Sequence, residues 1–291
     1  MTAMDLDREQ TATGERGETA PPAQSSAPSP AQPSIARPVP KLARGMALGG
    51  FGLAVLFALW WLATGAFGGG TGFAYRFSPA TTLPALASLM GGADIWVHIG
   101  VSLQRVLVGL GIALVVGVPV GLLVGLSRRL EDATSPVFQF LRMTSPLSWM
   151  PIAIMVFGVG DVPIYFLLAF AAVWPILLNT AVGVRQLDPH WLLLGRSLAA
   201  TRWETLIHIV IPGVLGHVLT GVRLAIGISW IVLVPCEMLG VQAGLGYFIL
   251  DTRDRLAYPE LMATVLVIGA IGFLLDFITR AIAGRFNSAI V

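Results

Sequence analysis

The chain has 291 residues, of which 55% are hydrophobic and 12% charged, with a mean hydropathy of +0.79. Soluble domains carry about 25% charged residues, so half that share with long apolar runs reads as an integral membrane protein, and the unbroken runs indicate an all-α one. The net charge of +2 gives no basic surface for nucleic acid, and the single cysteine, Cys236, excludes an internal disulfide.

The first stretch, TATGERGETAPPAQSSAPSPAQPSIARPVP and its flanks, is rich in Pro, Ala and Ser and has little to bury. It predicts a disordered cytosolic tail over 1–44, with a transmembrane domain over 45–291. It is not a signal peptide, because a long non-apolar segment precedes the first apolar run. A bilayer core needs about 20 mostly apolar residues as helix. Six stretches qualify: 46–66, 99–126, 136–157, 162–184, 217–240 and 260–283. The third is interrupted by Pro146 and Pro151. Residues 80–98 place Leu83, Leu86, Leu89 and Met90 at helical spacing, as an interfacial amphipathic segment does. In the second span, Gly117, Gly121 and Gly125 recur every four residues, a stripe that admits a close helix neighbour.

Positive residues set the orientation. With the N-terminus inside, the inner segments hold Arg37, Lys41, Arg44, Arg128, Arg129, Arg185, Arg196, Arg202, Arg280 and Arg285. The outer segments hold Arg76, Arg253 and Arg255. Ten against three predicts both termini in the cytosol. The segment GRSLAATRWETLIHIVIPG, residues 195–213, is then cytosolic too. Its spacing predicts one helix over 190–211, with Leu194, Leu198, Thr201, Thr205 and Ile209 along one side and an end at Pro212.

Catalytic patterns are lacking. A phosphate-cradling loop needs a lysine behind a glycine run, and the one lysine, Lys41, has none before it. No H-E-x-x-H occurs. Glu204 and His208 stand four apart as an ordinary surface pair, and the other histidines, His98, His190 and His217, make no haem or metal set. We therefore expect no catalytic residue, metal or cofactor, and an energy source on another chain or in a gradient. Arg105, Arg142, Arg223, Glu237 and Asp276 fall in or near spans, where a charge costs about 2.5–3.5 kcal/mol at mid-helix. One reading makes Arg142, Arg223 and Glu237, with Ser145 and Asn179, the lining of an anion pathway. The other is structural: snorkelling from span ends, or an arginine paired with Glu237. The structural reading suits Arg105 and Asp276 better.

The stretch before the fifth span resembles the cytosolic motif of permease subunits of ATP-binding-cassette importers. That motif runs E-A-A, then Gly, and ends I-x-L-P. Here Ile209, Ile211 and Pro212 supply the end, and Ser197 to Trp203 the middle. Ala199 takes the Gly place, and Leu193, Leu194 and Gly195 the E-A-A places. The resemblance covers roughly 80–285. The stretches SLQRVLVGLGIALVVGVPVGLLVG, FLRMTSPLSWMPIAIMVFG and GVRLAIGISWIVLVPCEMLG look most like the nitrate, sulfonate, taurine and bicarbonate group. The resemblance implies a six-span importer-permease (MetI-like) fold in the inner membrane, working as a homodimer among lipid. It implies cytosolic ATP-binding subunits, an extracytoplasmic substrate-binding protein and a small-anion substrate. Coupling to the ATPase would run through 190–212, with Gly195, Leu198, Ala199, Ala200, Thr201, Trp203 and Pro212 as the coupling residues. The alternative is a secondary transporter or channel that no ATPase drives.

Overall fold

A computed structural model describes residues 41–66 and 72–290, and these are helices joined by short turns. The chain separates into two units, Met1–Gly52 and Leu53–Val291. Of the tail expected over 1–44, residues 1–40 lie outside the described residues. Helix α1 (Lys41–Ala66) opens ahead of the boundary expected at 45. Helix α2 (Pro79–Gly91) covers most of the amphipathic segment. Its Leu86, Leu89 and Met90 pack on the main core, whereas Leu83 is exposed.

Among the described residues, four helices are long and apolar enough to cross a membrane: α3 (Asp94–Leu126), α6 (Asp161–Arg185), the run Arg202–Glu237, and α11 (Tyr258–Ile290). The third expected span is not one straight helix. It comprises α4 (Arg128–Met143), a turn at Pro146–Trp149 and α5 (Met150–Phe157), bent by 85°. The bend follows from Pro146, whose ring pushes the preceding residue out of the helical region. Ser145 accordingly has φ −60 and ψ 128.

Glycines determine how the long helices meet. Gly109 lies against Leu168, Gly117 against Ile176, Gly121 against Leu177 and Thr180, and Gly125 against Val184. Both series rise together, so α3 and α6 run parallel. A Cβ on Gly121 would stand 2.6 Å from the Leu177 carbonyl oxygen, which no side chain can occupy. Parallel packing also means that the α4–α5 pair joins opposite ends of its neighbours and must return along the bundle.

Helix α9 (Ile211–Glu237) runs antiparallel to α6, with Gly183 beside His217 and Gly221 beside Ile176. Helix α11 is antiparallel to α9. Trp230 Nε1 donates to the Ile268 carbonyl at 3.1 Å, and Arg223 Nε to Asp276 at 3.3 Å. Helix α7 (Pro189–Ser197) and helix α8 (Arg202–Thr205) therefore sit at one end, and α10 (Leu245–Asp254) at the other. Ile95, Ile164, Leu167, Leu168, Leu233 and Leu245 are fully buried between them.

Pro212 does not end the helix, contrary to the sequence reading. A π-turn, Leu206–Val210, precedes it, and Ile211 N–H reaches back to the Leu206 carbonyl. This wider turn absorbs the missing proline donor and the chain continues as α9. The Arg202–Glu237 run spans 36 residues, roughly 54 Å at 1.5 Å per residue. A hydrocarbon core is about 30 Å thick, so the run extends beyond it.

Candidate coupling turn and polar sites

The expected single helix over 190–211 is two helices joined by a tight turn at 198–201. Asp188 caps α7 by accepting from His190 N–H at 2.9 Å, with Pro189 in the first turn, where its missing donor is harmless. At the other end, Ala199 N–H donates to the Arg196 carbonyl (3.0 Å) and Ala200 N–H to the Gly195 carbonyl (2.9 Å). This is the helix stop that requires a left-handed residue, and Ala199 has φ 54. The position aligned with the importer motif's glycine is thus one whose backbone favours glycine. Leu194, Leu198, Thr201, Thr205 and Ile209 consequently do not share one helix face.

Thr201 starts α8 with a reciprocal cap. Its N–H donates to Glu204 Oε2 at 2.7 Å, and Glu204 N–H donates to its hydroxyl at 3.3 Å. The Glu204 carboxylate is thereby occupied, and His208 Nδ1 meets the Glu204 backbone oxygen at 3.1 Å. Gly195 is buried against the π-turn, where a Cβ would stand 2.9 Å from Ile209 Cδ1. A small residue there lets α7 fold back onto the π-turn. Leu198 and Trp203 are left 74% and 71% exposed. Ala199 and Thr201 are exposed beside them, and Ala200 is half-buried. The result is a capped, rigid turn with an apolar tip. Pro212 lies behind it, lining a 470 Å³ cavity with Trp191, His208 and His217.

Of the pathway candidates, Arg142 and Asn179 are brought together. Both line a 370 Å³ cavity with Thr144, Trp174, Leu224 and Ile228. Arg142 Nη2 donates to Gln139 Oε1 at 3.5 Å, and no carboxylate forms an ion pair with it among the described residues. Ser145 is exposed between two lining residues, Thr144 and Pro146. Arg223 stands apart, bound to Asp276, which also holds Arg280 at 2.6 Å. Glu131 and Arg185 pair at the end of α6.

Glu237 lies at the opposite end, in a buried clasp that ties four helices. Its Oε1 accepts from Arg105 Nη1 at 2.7 Å, and its Oε2 from Gly246 N–H at 2.9 Å. Ser102 Oγ stands 2.8 Å from both oxygens and accepts from Leu245 N–H at 2.8 Å. The carboxylate and hydroxyl thus cap the first turn of α10, where anions are favoured. Arg105 also binds the Ala243 carbonyl (2.7 Å) and, through Nη2, Asp161 (2.6 Å), at the start of α6. Gly244 N–H donates to His98 Nδ1 at 3.0 Å. Glu237 is fully buried, whereas Asp161 is 49% exposed. An arginine partner for Glu237 is one of the two readings the sequence allows, whereas Ser102 and Asp161 join it only in the folded chain. Ser102 stands three residues before Arg105, on the same helix face, which was the available signal.

A family model described as a binding-protein-dependent transport system inner membrane component matches residues 117–291. Over 191 residues the chain is 41% identical to the bicarbonate transport system permease protein CmpB of Synechococcus elongatus, covering 64% of this chain and 68% of that one. It is 35% identical to the nitrate import permease protein NrtB of Leptolyngbya laminosa, covering 65% and 67%. It is 30% identical to the taurine transport system permease protein TauC of Escherichia coli, covering 72% and 78%. Among solved structures, an inward-facing MetNI methionine ABC transporter superposes with TM-score 0.54 at 13% identity, covering 66% of this chain and 97% of that one. An amino acid ABC transporter does so with TM-score 0.51 at 17% identity, covering 72% and 96%. At these identities the structures speak for the fold alone.

Proposed function

The chain belongs to the family of binding-protein-dependent transport system inner membrane components, and from that premise we propose that it carries a small anion of the bicarbonate, nitrate or taurine kind across the membrane. It is a multi-pass permease subunit of an ATP-binding-cassette importer, and family membership implies a cytosolic ATPase and a substrate-binding protein as partners.

The observation that carries the coupling reading is the turn at 198–201. Its backbone is pinned from both sides by caps, yet it displays Leu198 and Trp203 to solvent. A rigid apolar tip suits insertion into a groove on another protein, because little conformational freedom is lost on docking. Gly195, Ala199, Ala200 and Thr201 shape the turn, and Pro212 with its π-turn joins it to α9 without a flexible linker. A push on the tip therefore reaches a membrane helix directly. ATP binding would draw two such turns together in a homodimer and open the bundle outward, and hydrolysis would reset it. The arginine distribution supports cytosolic termini and a cytosolic turn. Lipid contacts the outward apolar faces.

Arg142 beside the 370 Å³ cavity supports an anion as cargo. It has no carboxylate partner among the described residues and so offers an unneutralised charge. Asn179 adds polar atoms to the same wall. Ser145 adjoins the lining. Arg223, bound to Asp276, would act only where that pair opens, and Glu237 would contribute by holding the helix ends.

The test is purification of the tagged chain in mild detergent, wild type against Leu198→Glu. We expect an ATP-binding subunit to accompany wild type and to be lost at least tenfold with a charge at the exposed tip. Equal recovery with both chains would reject the turn as the coupling contact. Recovery with neither would reject the ATP-driven reading.

A further inference from the structure

At the end of the bundle opposite the 198–201 turn, α10 closes with a turn of the same kind. Leu256 N–H donates to the Arg253 carbonyl and Ala257 N–H to the Thr252 carbonyl, both at 2.9 Å. This geometry puts Leu256 at φ 59, a backbone conformation unfavourable for a branched side chain and natural for glycine. Burial does not compensate, since Leu256 is 63% exposed. Charged residues surround it. Arg253 pairs with Asp254 at 2.9 Å, and Arg255 with Asp251 at 2.8 Å and Glu260 at 3.6 Å; Arg253, Asp254 and Arg255 are exposed, and Asp251 and Glu260 half-buried. Three carboxylates and two guanidiniums hold this turn in water rather than in hydrocarbon. Two residues on, Tyr258 packs edge-on against exposed Phe73 at 5.0 Å and extends the apolar surface. A strained backbone that displays a leucine beside charged residues finds no packing partner to account for it among the described residues, and such strain points to function.

We infer that Leu256, with its rim of ion pairs, is the anchor on which the substrate-binding protein docks. The inference rests on the importer reading above. The family is defined by dependence on a binding protein, and the ATPase contact is assigned to the other end of the bundle. An apolar knob within a polar rim is the usual layout of a contact that forms and dissociates. Helix α10 also has the attachments needed to transmit such an event. Its first turn is held by Ser102 and Glu237, and Glu237 is held by Arg105, which reaches Asp161 on α6. Its last turn is tied to α11 through Arg255 and Glu260. Force on Leu256 thus passes to α3, α6, α9 and α11 through bonds already made.

The experiment reconstitutes the wild-type chain with its ATPase in vesicles of phosphatidylethanolamine and phosphatidylglycerol. ATP hydrolysis is titrated with the cognate binding protein. Leu256→Gly and Leu256→Asp are compared with wild type, and thermal unfolding is followed in parallel. Leu256→Gly separates structure from docking, because glycine relieves the backbone while deleting the side chain. We expect the half-stimulating concentration of binding protein to rise about tenfold for Leu256→Gly and more for Leu256→Asp. Basal hydrolysis should be unchanged, and Leu256→Gly should unfold no earlier than wild type. An unchanged half-stimulating concentration for Leu256→Gly overturns the inference. So does a change that depends on the phosphatidylglycerol content alone, which would assign the side chain to the lipid surface. A wild-type complex that hydrolyses ATP with no response to the binding protein rejects the importer reading itself, and the inference with it.

Discussion

Replacing Glu237 by glutamine tests the buried clasp most directly. The substitution keeps shape and volume but removes the charge, and one carboxylate oxygen becomes an amide nitrogen. That nitrogen must face either Arg105 Nη1 or the Gly246 N–H, both of which are donors. No orientation of the amide satisfies both, and Arg105 keeps only Asp161 as a charged partner. Removing one member of a buried pair costs about 3–5 kcal/mol, because the remaining charge stays buried without compensation. Against a total stability of about 5–15 kcal/mol for a folded domain, that loss is large. The assay is equilibrium unfolding in mixed micelles. Asp161→Asn serves as the internal comparison. Asp161 is half exposed, so water can replace its contact and the loss should stay below about 1 kcal/mol. The double variant Arg105→Met with Glu237→Leu should recover part of the loss, because it removes both charges at once. A loss below about 1 kcal/mol for Glu237→Gln, or one equal to that of Asp161→Asn, would refute the clasp as a stabilising element.

Two other expectations concern the remaining sites. Ala199→Gly should relieve roughly 1–2 kcal/mol of left-handed strain against about 0.5–1 kcal/mol of added chain entropy. A net gain of up to about 1.5 kcal/mol should appear as slower hydrogen exchange at Ala200, whose N–H closes the turn; faster exchange would contradict the role of the φ 54 position. Arg142→Gln should lower anion uptake into vesicles about tenfold, the scale on which a focused charge raises local ion concentration. Arg142→Lys should retain most of the uptake, and equal uptake by Arg142→Gln and wild type would remove Arg142 from the pathway.

Composition and hydropathy were enough for the membrane class and the approximate place of each long helix, since a helix in hydrocarbon must be apolar along its length. The glycine stripe at 117, 121 and 125 announced a close neighbour, and the segment 195–213 announced an ordered polar element between apolar ones. Those signals are local, carried by residues near one another in sequence. What depends on residues far apart was decided by packing. Periodicity extended one helix through 198–201, but the backbone bonds from Ala199 and Ala200 stop it there. Pro212 read as a terminator until the π-turn before it supplied a way past the missing donor. Pro146 read as an interruption, but the parallel packing of α3 and α6 turned the bent pair into a return along the bundle. Ser102, Arg105, Asp161 and Glu237 come from three helices, and their chemistry became visible only once those helices met. Sequence specifies which segments must leave water. Which polar atoms then find one another depends on how those segments pack, because a buried hydrogen-bond donor or charge has to find a partner wherever the fold brings one within reach.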